Sequence, residues 1–441
     1  MSVTARAAAL RALGEYRRSG TWPDALLGGS ELSPRDMALA KQILRGVLQN
    51  MALCDWYAAH FSSIGLKKLE PRVLDILRIS IYQLVFLTKI PPSAAVNEGV
   101  ALARKHSNPR GAGFVNAVLR KAAQAAGHGE LPDVTAETEQ RRLAIKYSHP
   151  EWLVREFCEL LGENGAEELL QANNAPDTPV TAQVNTLRAN IADVLASLER
   201  GGVDASAHEW LEGCVEMRGA GSVERLETFK NGHIYIQDAA ARISVMASGV
   251  KPGDFVIDAC AAPGGKSFAA AIAMQNTGRI ESCDIQAAKL RRIEDGAARL
   301  SLGIITAHHR DAAVRVSEYE SAADVVIADV PCSGFGVIRK KPEIRYKQAR
   351  DIETLPDIQK RILSNVSSYV KPGGTMLYST CTVLKRENED VIEWFLQNHS
   401  GFSPEDFTIP GAGHVFGGMV TLWPHVHGTD GFFICKLRRR I

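Results

Sequence analysis

Long hydrophobic runs are missing from this chain of 441 residues. No stretch approaches the roughly eighteen uncharged apolar residues that a bilayer-spanning helix needs, so no membrane span is expected. The opening segment, MSVTARAAALRALGEYRRSG, scatters arginines through an amphipathic pattern. It lacks the compact apolar core and small-residue cleavage site of a secretory signal. Paired cysteines are missing too. The eight cysteines stand at positions 54, 158, 214, 260, 283, 332, 381 and 435. None forms a C-x-x-C pair and none lies at zinc spacing from a histidine, so no metal site is expected. Without a secretory signal, free thiols and a cytoplasmic location are the default. Internal repeats and low-complexity tracts are absent as well.

What is present is ordinary in composition and uneven in charge. Hydrophobic residues make up 45% and charged residues 23%, as in a soluble globular protein. The length predicts two or three domains. The net charge of +1 hides an asymmetry along the chain. Residues 1–130 hold 17 Lys and Arg against 9 Asp and Glu, a net of +8. Residues 131–240 hold 9 against 19, a net of −10. A basic first block fits a polyanion partner, although a solvated surface has the same composition.

The apolar spacing sets the organisation. Residues 1–130 read as helical: Val73, Leu74, Leu77, Ile81, Leu84 and Val85 recur at three- and four-residue intervals. Pro91 and Pro92 stop that helix, and Ser93 is placed to cap the next. Residues 140–236 read as a helical linker followed by a small α/β module. From 237 to 441 strands alternate with helices. FVID, IESCD, ADVVIAD and GGTMLYST are apolar runs, and GFFICKL suits a final strand. That pattern predicts a Rossmann-like, doubly wound, mostly parallel sheet. Such a sheet presents its functional residues at the carboxyl ends of the strands.

The segment DACAAPGGKS, beginning at Asp258, leaves one strand and opens a helix. Gly264 and Gly265 allow a sharp turn and close approach to a ligand. The turn is neither a Walker loop nor G-x-G-x-x-G. Asp284 ends the next strand, where a carboxylate can accept from two ribose hydroxyls. Asp311 follows the third strand and can accept from an adenine amino group. A single Asp of this kind is more often a helix cap. The series Asp258, Asp284, Asp311 and Asp329 favours a nucleoside cofactor. Two further strand ends, DVPCSG (329–334) and STCT (379–382), bring Asp329, Cys332 and Cys381 to the same cleft. An accessible, activated thiolate there is suited to covalent catalysis.

These strings, with DACAAPGGKS, resemble the RNA cytosine-C5 methyltransferase family of the Sun/NOL/Fmu type. The resemblance implies S-adenosylmethionine as cofactor. It assigns Cys381 as the nucleophile on carbon 6 of the base and Cys332 as the thiol that assists product release. It makes Cys260, Ala261, Ala262, Pro263, Gly264, Gly265 and Lys266 the cofactor loop. It gives Asp284 the ribose, Asp311 the adenine and Asp329 a place beside the cofactor and ring nitrogen 3. Lys266 becomes an active-site lysine. The strings RISIYQLVFL, IPPSAAVNEGVALARK and GFVNAVLRK resemble the helical RNA-binding domain of the antitermination factor NusB. Together these parts imply a cytidine in small-subunit (16S) ribosomal RNA as substrate and a monomeric enzyme.

Some questions stay open at this stage. The P-C pair alone also fits enzymes in which that cysteine is the nucleophile. Transfer RNA is the nearest rival substrate, and a noncatalytic RNA-binding assembly factor is the rival class. The basic run of Arg339, Lys340, Lys341 and Arg345 is expected to face a phosphate backbone, with Arg438, Arg439 and Arg440 adding to it. Where the family usually shows Arg-Val-Asn, this chain has Gln183, Val184 and Asn185. Arg188 or a neighbouring group is the expected substitute.

Overall fold

Proline and small polar residues set the starts of the helices in the first half of the chain. The computed structural model describes residues 4–441 apart from 22, 29–31, 177 and 412. Thr4, Ser33, Asn108 and Thr138 each accept a hydrogen bond from a first-turn amide of the helix that follows. Pro34, Pro71, Pro92 and Pro109 occupy first helical positions, where the missing N–H has no intrahelical partner to lose. The cap of Pro92–His106 is Pro91, so Ser93 lies inside the first turn and caps nothing. One compact unit comprises Met1–Asn174 with Lys341–Lys347, and the other Ala175–Lys340 with Gln348–Ile441.

In the helical unit, Pro71–Phe86 is the central helix. It buries Val73, Ile76, Leu77, Ile79 and Ile81, and also Asp75 and Gln83. These two polar side chains are satisfied from the first helix, Ala5–Ser19: Arg17 pairs with Asp75 at 2.8 Å and Arg6 donates to Gln83 at 2.7 Å. Gly46 permits the close approach of a neighbouring helix, since a Cβ there would lie 1.9 Å from the Tyr82 ring.

The second unit contains two larger sheets. The smaller is antiparallel and built from β1 (Val180–Val184), β2 (Asp204–Ala207), β3 (Cys214–Arg218) and β4 (Ile234–Ile236), in the order β2-β3-β1-β4. Val194 and Leu198 from the helix Ile191–Arg200 complete its core. The larger sheet takes β5 (Phe255–Asp258), β6 (Arg279–Asp284), β7 (Ile305–His309), β8 (Ala323–Asp329), β9 (Val370–Thr380), β10 (Phe402–Pro404) and, after a small two-stranded hairpin, β13 (Met419–Leu422) and β14 (Phe432–Arg439). The hairpin strands are β11 (Phe407–Ile409) and β12 (Gly413–Val415).

The order β10-β14-β9-β8-β5-β6-β7 is parallel from β9 to β7, and β14 runs antiparallel to β9. From β5 the chain first winds outward through β6 and β7. It then returns to the other side of β5 for β8 and β9. The winding reverses between β5 and β8, and a crevice opens at the carboxyl ends of strands at such a switch point. The apolar strand runs noted in the sequence are the buried central strands of this sheet.

Candidate active site

Asp258 and Asp329 end the two strands of the switch point, and Asp284 ends the next strand out. Asp258 ends β5 and is fully buried; its Oδ2 accepts from the Ser267 hydroxyl at 2.7 Å, while its Oδ1 has no hydrogen-bond partner. Burial pushes its carboxyl up to about 7, against the opposing effects of Ser267 and the Lys266 charge. The turn after it contains a cis bond between Ala262 and Pro263, and Gly264 follows at φ 109°. A Cβ on Gly264 would meet the Phe268 ring at 2.5 Å, so only glycine fits. Asp284 ends β6 and accepts from the amides of Ala262 at 3.1 Å and Gln286 at 2.8 Å. Each of its oxygens keeps a further lone pair. Asp311 stands two residues beyond His309, the β7 residue paired with Asp284, and is exposed. Its carboxylate accepts from the amide of Ala313 at 2.8 Å. Cys260 is half-buried, and burial raises its thiol well above the usual range.

Across the switch point, Asp329 ends β8. Lys266 Nζ donates to its Oδ2 at 2.6 Å, and Ser379 Oγ to its Oδ1 at 2.8 Å. Lys266 also lies over the Phe432 ring, 5.1 Å from its centroid. Three residues past Asp329, Cys332 brings its Sγ to 3.3 Å from Cys381 Sγ, the first residue after β9. Both thiols are free and half-buried. The hydrogen bond from Cys332 holds the Cys381 thiol below its ordinary value; Lys266 acts in the same direction, and burial and Asp329 oppose it. The same hydrogen bond raises Cys332 well above the ordinary value, and burial adds to it. The pair is therefore polarised. Of the two, Cys381 is the thiol held lower.

A buried network behind the two cysteines has no counterpart among the residues that the sequence singles out. Glu387 Oε2 accepts from the amide of Ser333 at 2.9 Å and from Gln359 Nε2 at 2.9 Å. Asn388 joins Thr380 at 2.6 Å and the carbonyl of Thr382 at 3.0 Å. In the sequence, Glu387 and Asn388 precede an amphipathic helix and look like a helix start. Their burial is the signal that the sequence does not carry.

The expected phosphate-facing run is corrected by the structure. Arg339 pairs with Asp430 at 3.0 Å, and Lys340 pairs with Asp238 at 2.5 Å and Asp430 at 2.9 Å. Arg345 is fully buried within the helical unit. Its Nη1 donates to the carbonyls of Gln49, Tyr147 and Ser148 and to Asn174 Oδ1. Burial lowers its guanidinium to about 10. Arg339 and Lys340 are paired within the fold, Arg345 is buried with its Nε and Nη2 lacking hydrogen-bond partners, and of that run only Lys341 is exposed. In the C-terminal run, Arg438 pairs with Glu405 at 2.6 Å and Arg439 donates to the carbonyl of Val370, which leaves Arg440 exposed. At the departure in the small module, Gln183 is buried and accepts from Arg242 Nη1 at 2.9 Å. The guanidinium beside it is therefore that of Arg242. Arg188 donates instead to Ser301 at 2.5 Å.

On the helical unit, a groove is lined by Arg11, Arg17, Arg18, Arg72, Lys105 and His106, with Glu70 and Asp75 as its acids. Burial and the charges of Arg72 and Lys105 lower the His106 imidazole, as a positive potential requires.

Comparison with known proteins adds a family to this geometry. Residues 245–438 match the model described as 16S rRNA methyltransferase RsmB/F, residues 3–124 the NusB family, and residues 149–224 the RsmF/B-like ferredoxin-like domain. The chain is 36% identical to the probable ribosomal RNA small subunit methyltransferase B of Bacillus subtilis (strain 168), over 98% of both chains. The crystal structure of PH0851 superposes with a TM-score of 0.80 at 25% identity, covering 100% of this chain and 99% of that one. A methyltransferase homolog protein from Pyrococcus horikoshii superposes with a TM-score of 0.57 at 28% identity, over 69% of this chain and all of the other.

Proposed function

This chain belongs to the family of 16S rRNA methyltransferases described as RsmB/F, and on that premise we propose that it transfers a methyl group from S-adenosylmethionine to carbon 5 of a cytidine in small-subunit ribosomal RNA. The observation that carries the chemistry is the polarised pair of thiols 3.3 Å apart, with Lys266 and Asp329 beside them.

S-adenosylmethionine, when bound, supplies an electrophilic methyl group on a sulfonium sulfur. The residues present fit it. Asp284 keeps free lone pairs for a vicinal diol at the end of β6. Residues Cys260 to Lys266 would lie along the cofactor, with Asp284 at the ribose and Asp311 at the adenine amino group. Asp329 would border it.

Carbon 5 of cytosine is a weak nucleophile. The Cys381 thiolate attacks carbon 6, forming a carbon–sulfur bond and moving electron density onto carbon 5. Ring nitrogen 3 gains basicity during the attack and takes a proton from solvent, and the Asp329 carboxylate accepts from the resulting N–H. After methylation Cys332, no longer hydrogen-bonded to a thiolate, gives its own proton to solvent and takes the proton on carbon 5 as the carbon–sulfur bond breaks and the Cys381 thiolate leaves. Cys332 is the group that assists this release. The basic groove of the helical unit is the proposed path of the RNA backbone.

The test incubates wild type, Cys381→Ala and Cys332→Ala with unmodified ribosomal RNA and methyl-labelled cofactor. Methylated cytosine and denaturation-resistant protein–RNA adducts are scored. Cys381→Ala is inactive, and Cys332→Ala accumulates the adduct. An inactive Cys332→Ala without adduct, beside an active Cys381→Ala, exchanges the two roles.

A further inference from the structure

The two thiols hold their separation because one dipeptide grips both segments that carry them. Glu387 is fully buried and stands ahead of the helix Glu389–Asn398. Its Oε2 accepts from the Ser333 amide, the peptide group following Cys332. Gln359 Nε2 donates to the same Oε2 at 2.9 Å and to the carbonyl of Pro331, the peptide group preceding Cys332, at 3.0 Å. The backbone of Cys332 is thus clamped on both sides. Asn388 holds the residues flanking Cys381: its side chain accepts from Thr380 Oγ1 and donates to the carbonyl of Thr382. Ser333 Oγ and Thr382 Oγ1 close the ring directly at 2.7 Å.

We propose that Glu387, with Asn388 and Gln359, positions Cys332 against Cys381, so that Glu387 is a positioning residue for the reaction and not a helix cap. This rests on reading the two cysteines as the reacting thiols. A carboxylate suits the place for two reasons. It offers acceptors only, as the converging Ser333 and Gln359 donors require. Its charge also favours the protonated form of Cys332 over its thiolate.

The test measures iodoacetamide alkylation of each cysteine across pH 5 to 10 in the full chain without RNA, resolved by peptide mass spectrometry. In wild type, Cys381 is alkylated ahead of Cys332. Glu387→Ala releases the Cys332 segment. The alkylation midpoint of Cys381 then rises by about one pH unit, and its rate at pH 7 falls about tenfold, following the thiolate fraction. Glu387→Gln keeps an acceptor oxygen and removes the charge. It keeps Cys381 reactive and lets Cys332 react at lower pH. A cooperatively melting Glu387→Ala with the wild-type order and pH profile overturns the proposal. If that variant does not fold, Gln359→Met takes its place, and a wild-type profile there overturns it equally. No RNA is present, so a failure to methylate ribosomal RNA leaves this outcome readable on its own.

Discussion

Lys266 Nζ lies 2.6 Å from Asp329 Oδ2, joining the helix after β5 to the end of β8 across the point where the winding of the sheet reverses. The ammonium is buried, so its field is only weakly screened. It favours the ionised form of Cys381, second to the hydrogen bond from Cys332 among the influences that lower that thiol. Removing the charge must therefore raise the thiol. Lys266→Met is expected to move the rising limb of the single-turnover pH profile to higher pH. It should lower the rate at pH 7 by about 100-fold, the lower end of the range for a lost group in proton-dependent catalysis. An unchanged rising limb would remove Lys266 from thiol activation.

Asp258 gives a prediction about stability. Its carboxyl is raised from 3.8 to about 7 in the folded chain. A raised carboxyl binds its proton more tightly in the folded state than in the unfolded state. Stability therefore falls as pH rises between those two values and levels off above the upper one. The difference amounts to a few kcal/mol on the order-of-magnitude scale of about 1.4 per unit. Asp258→Asn does not titrate. The Tm of this variant minus that of wild type should grow from pH 5 to pH 8, by about 2–4 °C for each kcal/mol, without cofactor present. A constant difference would mean that Asp258 ionises normally.

Asp258, Asp284 and Asp329 were legible because they sit where apolar runs end, whereas the roles expected of the two cysteine segments came from the resemblance of their strings. The doubly wound sheet followed from the same runs. Arg345 was not legible. Its partners are carbonyls near residues 49 and 147, and no local pattern announces a contact across such sequence distances. Lys340 misled for a related reason, since Asp238 and Asp430 lie on either side of it far along the chain. Glu387 was hidden in a different way. Charged residues before an amphipathic helix ordinarily face solvent, and only the tertiary structure shows this one inside.

Arg345 separates a structural cation from an RNA-facing one. Its guanidinium is buried and donates to three backbone carbonyls, so truncation leaves acceptors without partners. Arg345→Met should destabilise the chain by about 2–4 kcal/mol in denaturant melts, by analogy with broken buried networks. The salt dependence of RNA binding by the fraction that remains folded should be unchanged. A stable variant with weakened, less salt-dependent binding would return Arg345 to the RNA surface.

The groove on the helical unit makes the opposite prediction. Arg72 and Lys105 are exposed, and their charges act on His106, the last residue of the helix that carries Lys105. A phosphate backbone bound there neutralises charge and releases counterions, so affinity falls with salt in proportion to the number of phosphates neutralised. The double variant Arg72→Glu, Lys105→Glu should weaken binding to ribosomal RNA. It should reduce the slope of log affinity against log salt by about one for each phosphate that is no longer neutralised. Alkylation of Cys381 and binding of S-adenosylmethionine should stay at wild-type levels, because neither site uses these residues. The imidazole of His106 supplies an independent readout. A phosphate opposite it would raise its titration midpoint, observable by NMR on adding RNA to wild type. Unchanged affinity and salt slope in the double variant would take this groove off the RNA path and direct attention to the second unit.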